Sequence, residues 1–330
     1  MGETVKQDRM AWMDQLRGAA IVLVILYHAE TVAARFAPDI PAGLVATLEF
    51  FAPFRMPVLM FLSGMLLSRS LAKPTKTFFA GKLRGIAWPY VIWSFIFLAV
   101  SAQLTAQNML AVAVKPPTYL WYLWFLLAYY AFAWLMDRWN IPMWIGAAAG
   151  FIGAFGPDTF RFSRFCFLFV FFVAGHLYAA RGQRVLLDRK WIVPLTLVAL
   201  IGFGIMSVSG TDVQYNPVFI LAPFAAIALC VSAMPEARLG RAGGALAYIG
   251  RDSIVFYVTH FTVIWAVAWG LQQAGMTSHW IMYSIAVVFA VSAGLALTWA
   301  RHHSRLADGL FQLPTRPAKT AELIGANRGQ

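Results

Sequence analysis

Long apolar runs, most of them close to 20 residues, recur along this chain and limit what it can fold into. A helix needs about 20 apolar residues to cross a bilayer. Hydrophobic residues make up 60% of the 330 positions and charged residues 12%, about half the charged fraction of a soluble domain. The sequence therefore predicts an all-α polytopic membrane protein. About ten runs qualify as spans: residues 11–30, 46–68, 86–105, 119–137, 141–157, 162–180, 191–208, 216–234, 252–271 and 279–300.

Two of these runs are irregular. The second contains Pro53 and Pro57, and the fifth, 141–157, is short and rich in glycine. Non-helical backbone at membrane depth is tolerated only where protein or a water-filled cavity surrounds it. We predict that these two segments are kinked or re-entrant.

The basic residues indicate an orientation for the chain. The net charge is +12. If ten spans alternate from an inner N-terminus, twenty of the 26 lysines and arginines lie inside and five outside, and Arg17 lies within a span. We therefore predict cytoplasmic termini, one transmembrane domain over residues 1–301 and a solvated cytoplasmic tail over 302–330. The positive charge is assigned to topology in a lipid bilayer, and nucleic acid is not expected as a partner.

The first apolar run, RGAAIVLVILYH, has an arginine at one end and a histidine at the other. On a helix, Arg17 and His28 point within about 20° of each other and lie about 16 Å apart along the axis. Asp14, three residues before Arg17, can pair with its guanidinium. Ionisable groups on one face of a membrane helix usually face a polar cavity. The alternative is a snorkelling arginine and an interfacial histidine.

The segment FRMPVLMFLSGML places Arg55 in the outer part of the second run and Ser63-Gly64 further in. A small residue pair allows another backbone to approach closely. Arg55 is predicted to hold an anionic or hydroxyl-rich group near His28, with Ser63 as a further contact. An interfacial arginine beside a packing site is the alternative.

A basic loop, FFAGKLRGIAWPY, precedes the third run and carries Lys82 and Arg84 at the predicted cytoplasmic edge. Cations there fit a phosphate clamp for a nucleotide-like donor. They fit a pure topology signal as well.

Arg161 and Arg164 stand one helical turn apart in FRFSRFCFLFVFFVAGHL, on the predicted outer side. Because outer arginines violate the charge rule, each needs a reason. Binding of a glycan or an anionic acceptor is one reason, and contact with lipid headgroups is the other.

The segment IGRDSIVFYVTHF brings His260 close to mid-membrane, with Tyr257 one turn before it. A satisfied core histidine is the alternative to a functional one. The two cysteines, Cys166 and Cys230, lie in separate apolar runs and make no metal spacing and no expected disulfide. No metal site is predicted.

These segments together resemble the acyltransferase 3 family of integral membrane acyltransferases, and within it the branch of fucose O-acetylase-like and glucan-modifying members. DQLRGAAIVLVILYH is similar to the family's first-helix motif, an arginine and a histidine separated by ten residues. FRMPVLMFLSGML resembles its second motif, with Arg55 where histidine is common, and IGRDSIVFYVTH resembles its last. The resemblance implies ten helices and transfer of an acyl group, usually acetyl from acetyl-CoA, to a sugar hydroxyl. It also implies that Arg17 and His28 carry the activity.

Acyl transfer to a hydroxyl requires a base and stabilisation of the developing oxyanion. His28 is assigned as the base and Arg17 as the group that steadies the thioester or the oxyanion, oriented by Asp14. His260 and Tyr257 are candidates for acid or positioning roles. A covalent acyl-histidine intermediate is left open.

The predicted donor is cytoplasmic acyl-CoA, acetyl-CoA before succinyl-CoA, and no permanently bound cofactor is expected. Because His28 is predicted near the outer end of its helix, the acceptor is expected from the outer side, as a polymeric or lipid-linked carbohydrate of the cell envelope. The resemblance implies a bacterial inner membrane. Two other classes stay open: a transporter or flippase for a polar solute, and a structural or sensor membrane protein.

Overall fold

The computed structural model describes residues 2–181 and 188–314, and the regular elements within these ranges are all helical. The α-helices are α1 Gly2–Phe36, α2 Ala42–Gly64, α3 Leu67–Leu71, α4 Thr75–Lys82, α5 Trp88–Val100, α6 Ala106–Ala111, α7 Trp121–Arg138, α8 Met143–Gly153, α9 Phe162–Ala180, α10 Arg189–Val208, α11 Leu221–Ala233, α12 Gly240–Arg251, α13 Ser253–Gln273, α14 His279–His303 and α15 Arg305–Gly309. A π-helical turn, Leu83–Ala87, joins α4 to α5.

Eight helical segments of the described chain are long and apolar enough to cross a membrane. They are Ala11–Phe36, Ala42–Leu71, Thr75–Val100, Thr159–Ala180, Arg189–Val208, Pro217–Glu236, Ser253–Gln273 and His279–His303. The protein is therefore an all-α polytopic membrane protein, as predicted. The count of ten spans and the side of each terminus stay predictions.

The two irregular runs behave differently from each other. α2 continues through Pro53 and Pro57 as one helix, so the re-entrant alternative is wrong for this run. Its span is 83% buried, and no other of the eight exceeds 56%, which places α2 at the centre of the bundle. α8 has 11 residues. It is about 16 Å long, roughly half the hydrocarbon thickness of a bilayer, so a crossing at this run requires residues on either side of α8.

Glycines bring pairs of helices into backbone contact. A Cβ atom at Gly64 of α2 would overlap the backbone oxygen of Phe172 in α9, and one at Gly175 of α9 would overlap that of Phe61. The close approach predicted for the Ser63-Gly64 pair is thus confirmed. α9 packs directly against the central helix, because neither glycine carries a side chain to hold the backbones apart.

α12 was not predicted, because its segment GRAGGALAYIGR lies within a predicted inner loop. The helix packs along α1, where Gly18 meets the backbone of Leu246 and Gly250 meets that of Asp14. With 12 residues, a polar face and four glycines, it gives no signal for a span. Its effect is to fix the part of α1 that carries Asp14 and Arg17.

The chain after α14 differs from the predicted solvated tail in its described part. Phe311 is 1% exposed and stacks on Trp93, with ring centroids 5.6 Å apart. The Arg84 Nε donates a hydrogen bond to the Leu313 carbonyl, 3.1 Å away. This segment is therefore held against α5 by an aromatic anchor that a composition-based prediction overlooks. Residues 315–330 of the predicted tail lie outside the described residues.

Candidate active site

α1 carries the first two predicted site residues, and it is longer than the sequence suggested. The helix runs to Phe36, eight residues beyond His28. At 1.5 Å per residue His28 lies about 12 Å before the end of the helix. The predicted position near the outer end is therefore wrong. That prediction ended the first span at residue 30, whereas the helix continues past Glu30, Thr31 and Arg35 to Phe36.

His28 meets His260 of α13, and this contact joins residues 232 positions apart. The His28 Nδ1 lies 3.2 Å from the His260 Nε2, and the ring centroids are 5.1 Å apart. His260 is fully buried, whereas His28 is part-exposed and lines a cavity. Phe261 stands edge-on to the His28 ring, with centroids 5.2 Å apart. The two histidines were named separately from the sequence, and the structure unites them.

The surrounding carbonyls fix which nitrogen of each ring carries hydrogen. The His260 Nδ1 lies 3.1 Å from the Phe256 carbonyl, so Nδ1 must donate and Nε2 carries the lone pair. The His28 Nδ1 lies 3.0 Å from the Val24 carbonyl and also faces the His260 lone pair, so it must donate too. The His28 Nε2 is then an unprotonated nitrogen, the form that a general base requires.

Tyr257 is placed beside His260, but its hydroxyl is committed elsewhere. The ring centroids of Tyr257 and His260 are 5.8 Å apart, and the Tyr257 hydroxyl donates to the Tyr119 carbonyl. Tyr119 in turn donates to the Val258 carbonyl, 2.7 Å away, and its hydroxyl lies 3.1 Å from the Thr262 Oγ1. These bonds tie the segment just before α7 to α13. The Tyr257 ring therefore packs against His260 while its hydroxyl is bonded to the Tyr119 carbonyl.

A cavity of about 290 Å³ opens over His28 and contains four arginines. We call it the arginine cavity, and its arginines are Arg35, Arg55, Arg161 and Arg164. Three of these belong to the predicted acceptor-binding residues, and they come from α2 and the start of α9. The structure thus brings Arg55, Arg161 and Arg164 together above the histidine pair.

Aromatic rings, not carboxylates, hold these guanidinium groups in place. The Arg55 Cζ lies 3.7 Å from the centre of the Tyr27 ring, and Arg55 is 5% exposed. The Arg164 Cζ lies 4.3 Å from the centre of the Tyr215 ring, and the Arg161 Cζ 5.9 Å from that of Trp121. Cation–π contacts orient the planes of the cations and leave most of their N–H donors unused.

The sequence analysis missed several residues of the arginine cavity. Arg35 was counted only as an outer charge. Gln214 and Tyr215 come from the loop between α10 and α11, where Tyr215 adopts a positive φ of 60°. Burial raises the pKa of the Tyr215 hydroxyl. The loop carries no motif, and only the contact between Tyr215 and Arg164 reveals its place in the site.

The remaining predicted residues lie away from the cavity lining. The Arg17 Nη1 pairs with the Asp14 Oδ1 at 3.5 Å, as predicted. The Lys82 ammonium donates to the Ser70 Oγ at 3.0 Å and lies 3.4 Å from the centre of the Tyr130 ring. The buried Ser63 hydroxyl lies 2.9 Å from both the Leu59 carbonyl and the Tyr122 hydroxyl, so it links α2 to α7.

A histidine pair at the base of a cation-lined cavity, inside a bundle of membrane helices, defines a polytopic membrane protein with a polar internal site. A family model described as an acyltransferase domain matches residues 10–300. The chain therefore belongs to the acyltransferase 3 family, and the protein is a membrane acyltransferase. Comparisons with curated proteins and with solved structures find no match.

Proposed function

We propose that the protein is an acyl-CoA-dependent O-acyltransferase that modifies a hydroxyl of a cell-envelope or lipid-linked carbohydrate. The acyl group is acetyl, with succinyl as the second choice. The proposal includes ten crossings, cytoplasmic termini and a bacterial inner membrane, with the donor bound from the cytoplasm. Both the family and the positive-inside distribution of the charges support it.

The observation that carries the proposal is the contact between His28 and His260 below the arginine cavity. A base needs a lone pair within reach of its substrate and a neighbour that fixes its tautomer. The His28 Nε2 has the lone pair, and the His260 Nε2 accepts from the opposite nitrogen at 3.2 Å. The Phe256 carbonyl holds His260 in turn. His260 acts in this proposal as a positioning residue.

The transfer step then follows from this arrangement. The acceptor hydroxyl gives its proton to the His28 Nε2 while its oxygen attacks the thioester carbonyl. The resulting oxyanion collapses, the C–S bond breaks, and the thiolate takes the proton from His28. The products are an ester and free CoA. In a two-step alternative, the His28 Nε2 attacks the thioester and expels the thiolate, giving an acyl-histidine. The acceptor hydroxyl then attacks the acyl carbonyl and releases His28, and its proton passes to the thiolate, so the products are the same.

In this proposal the donor enters at the opposite end of α1 from the arginine cavity. Arg17, eleven residues before His28, lies about 16 Å from it along the helix axis. The pantetheine arm of an acyl-CoA is a long, thin chain that separates the nucleotide phosphates from the thioester. We propose that Lys82 and Arg84 meet the phosphates, Arg17 lies along the donor path, and the thioester reaches His28.

Release of free thiol from acetyl-CoA tests this function. The purified protein in detergent is given acetyl-CoA and an envelope glycan extract, and thiol release and acetyl incorporation into glycan are measured together. Wild-type protein should show both without a sealed membrane. His28→Gln should lower the rate by about 10²- to 10⁴-fold, because general-base catalysis contributes that much.

His303→Gln is the matched control. His303 is exposed, its Nδ1 lies within hydrogen-bond distance of the Trp299 carbonyl, and its ring stacks on the Trp299 ring. It should keep the wild-type rate. Solute movement that requires sealed vesicles, with no thiol release in detergent, would favour the transporter alternative. Full thiol release by His28→Gln would remove His28 from the chemistry.

A further inference from the structure

The arginine cavity offers hydrogen-bond donors and few acceptors. Four guanidinium groups carry up to five N–H donors each and accept nothing. No aspartate or glutamate is among the cavity residues, all of which lie in the described chain. A neutral sugar presents hydroxyls that both donate and accept, and it would leave many of its own donors unmatched here. An anionic group, which only accepts, matches this lining.

The arginines also lack anionic partners within the described structure. None of the four forms a salt bridge, and one side-chain hydrogen bond is formed by them, from the Arg161 Nη1 to the Thr118 carbonyl at 3.3 Å. The Arg164 Nε is buried without a partner. Arg55, although 95% buried, has an aromatic ring beside it instead of a carboxylate. Burying unpaired cations is costly, so a partner that arrives with the ligand is expected.

The nearby acids are used in other ways. The Asp158 carboxylate accepts the backbone N–H of Arg164 at 3.3 Å, and Asp158 and Asp212 line a neighbouring pocket that Arg164 also borders. The Glu30 carboxylate accepts from the Thr31 hydroxyl at 3.3 Å and does not line the cavity. None of these acids forms a salt bridge with a guanidinium group of the cavity, and Asp158 acts on Arg161 only at longer range.

We infer that the arginine cavity binds a carboxylate or phosphate of the acyl acceptor and thereby selects an anionic carbohydrate. The inference rests on the proposed function in calling this ligand the acceptor. A carboxylate would belong to the sugar itself, as in a uronic acid, and a phosphate would belong to the linkage of a sugar to its carrier. Arg55 and Arg164 supply planar donors that suit either group. The anion would hold a neighbouring hydroxyl near His28.

Binding of three matched pyranosides, with no acyl donor present, tests the inference. The probes are methyl glucoside, methyl glucuronoside and glucose 1-phosphate, and the readout is the fluorescence of the purified protein, to which Trp121 of the cavity contributes. At least one anionic probe should bind 10-fold or more tightly than the neutral one. The better anion then identifies the source as sugar carboxylate or linkage phosphate.

The variants assign that preference to the cavity. Arg55→Gln and Arg164→Gln should each reduce the preference at least fivefold, and Arg55→Lys should keep part of it. Arg138→Gln is the charge-matched control, since Arg138 is exposed at the end of α7, and it should bind like wild type. The inference is wrong if neither anionic probe binds, if the neutral probe binds equally well, or if both glutamine variants keep the preference. Because no donor is used, such a failure leaves the test of acyl transfer untouched.

Discussion

The cations at the two ends of α1 differ in what neutralises them. Towards the start of the helix Arg17 pairs with Asp14, and nearby Arg301 pairs with Asp252 at 3.4 Å and with Asp308 at 2.9 Å. Beyond His28 the four arginines of the arginine cavity form no salt bridge with a carboxylate of the described chain. The cations of the first group are paired within the protein, and we propose that an anionic ligand pairs those of the second.

This difference separates cations that hold helices together from those that we propose bind a ligand. A paired guanidinium fixes the packing of the helices that contribute its partners, as Arg301 does for α14, α15 and the start of α13. An unpaired guanidinium in a cavity can form a strong new ion pair with an anion that binds there. The same residue type thus serves two purposes, and its surroundings decide which.

The histidine pair gives the largest effect with which to test this comparison. We expect His260→Ala to lower kcat by about 100-fold, because the His28 Nδ1–H loses one of its two acceptors and the Val24 carbonyl alone then orients the ring. His260→Gln, whose amide oxygen can accept that hydrogen, should recover about a tenth of wild-type kcat. The rates are measured as thiol release at saturating acetyl-CoA, with the melting temperature of each variant recorded.

Recovery by glutamine distinguishes positioning from packing, because alanine and glutamine both remove the imidazole. If the two variants lose equal activity and also melt at a lower temperature, His260 is a packing residue. A near-normal rate in both variants would show that His28 does not need His260 for catalysis.

At the paired end, Arg17→Lys keeps the charge and removes the planar fork. We expect kcat/KM for acetyl-CoA to fall about 10-fold, the cost of losing one hydrogen bond to a charged group. Arg138→Lys, on an exposed helix end, is the control and should leave kcat/KM unchanged. A fall of less than twofold in Arg17→Lys would show that charge alone suffices at this position.

The sequence predicted the helices better than it predicted what their side chains meet. Hydropathy located every long apolar helix, because a membrane span must carry about 20 apolar residues. Gly64 was recognised as a point of close approach, because a glycine beside a serine in an apolar run has few other uses. α12 was missed, because an amphipathic helix that lies along α1 needs no long apolar run.

The features that the sequence did not predict arise from contacts between residues far apart in the chain. His28 and His260 were each named, yet nothing in their local sequences states that two helices 232 residues apart place their rings together. The role of Arg35 depends on three arginines from other segments converging on the same cavity. Phe311 anchors the chain after α14 because Trp93 happens to face it, and the composition of residues 302–330 contains no trace of that contact.

The contact of α12 with α1 should be sensitive to a single methyl group. A Cβ atom at Gly250 would overlap the Asp14 backbone, whereas one at Gly244 on the same helix meets nothing within 4 Å. We expect Gly250→Ala to destabilise the protein by about 1–3 kcal/mol through overpacking. Gly244→Ala should be neutral or slightly stabilising, because alanine favours the helix. Thermal unfolding in detergent measures both. Equal melting temperatures would mean that α12 does not pack on α1 in this way.

The smallest expected effect concerns Lys82, whose ammonium has a hydroxyl and an aromatic ring as neighbours but no carboxylate. If it meets a phosphate of the donor, Lys82→Met should raise the KM for acetyl-CoA about three- to tenfold and leave kcat largely unchanged, since this contact is the same in ground and transition states. Lys76→Met, on the exposed side of α4, is the matched control. Acetyl-pantetheine lacks the nucleotide phosphates, so its KM should be the same for wild type and Lys82→Met. A KM that rises equally for both donors would indicate a general disturbance of the helix, and a KM that rises for neither would leave Lys82 as a signal for orientation in the membrane.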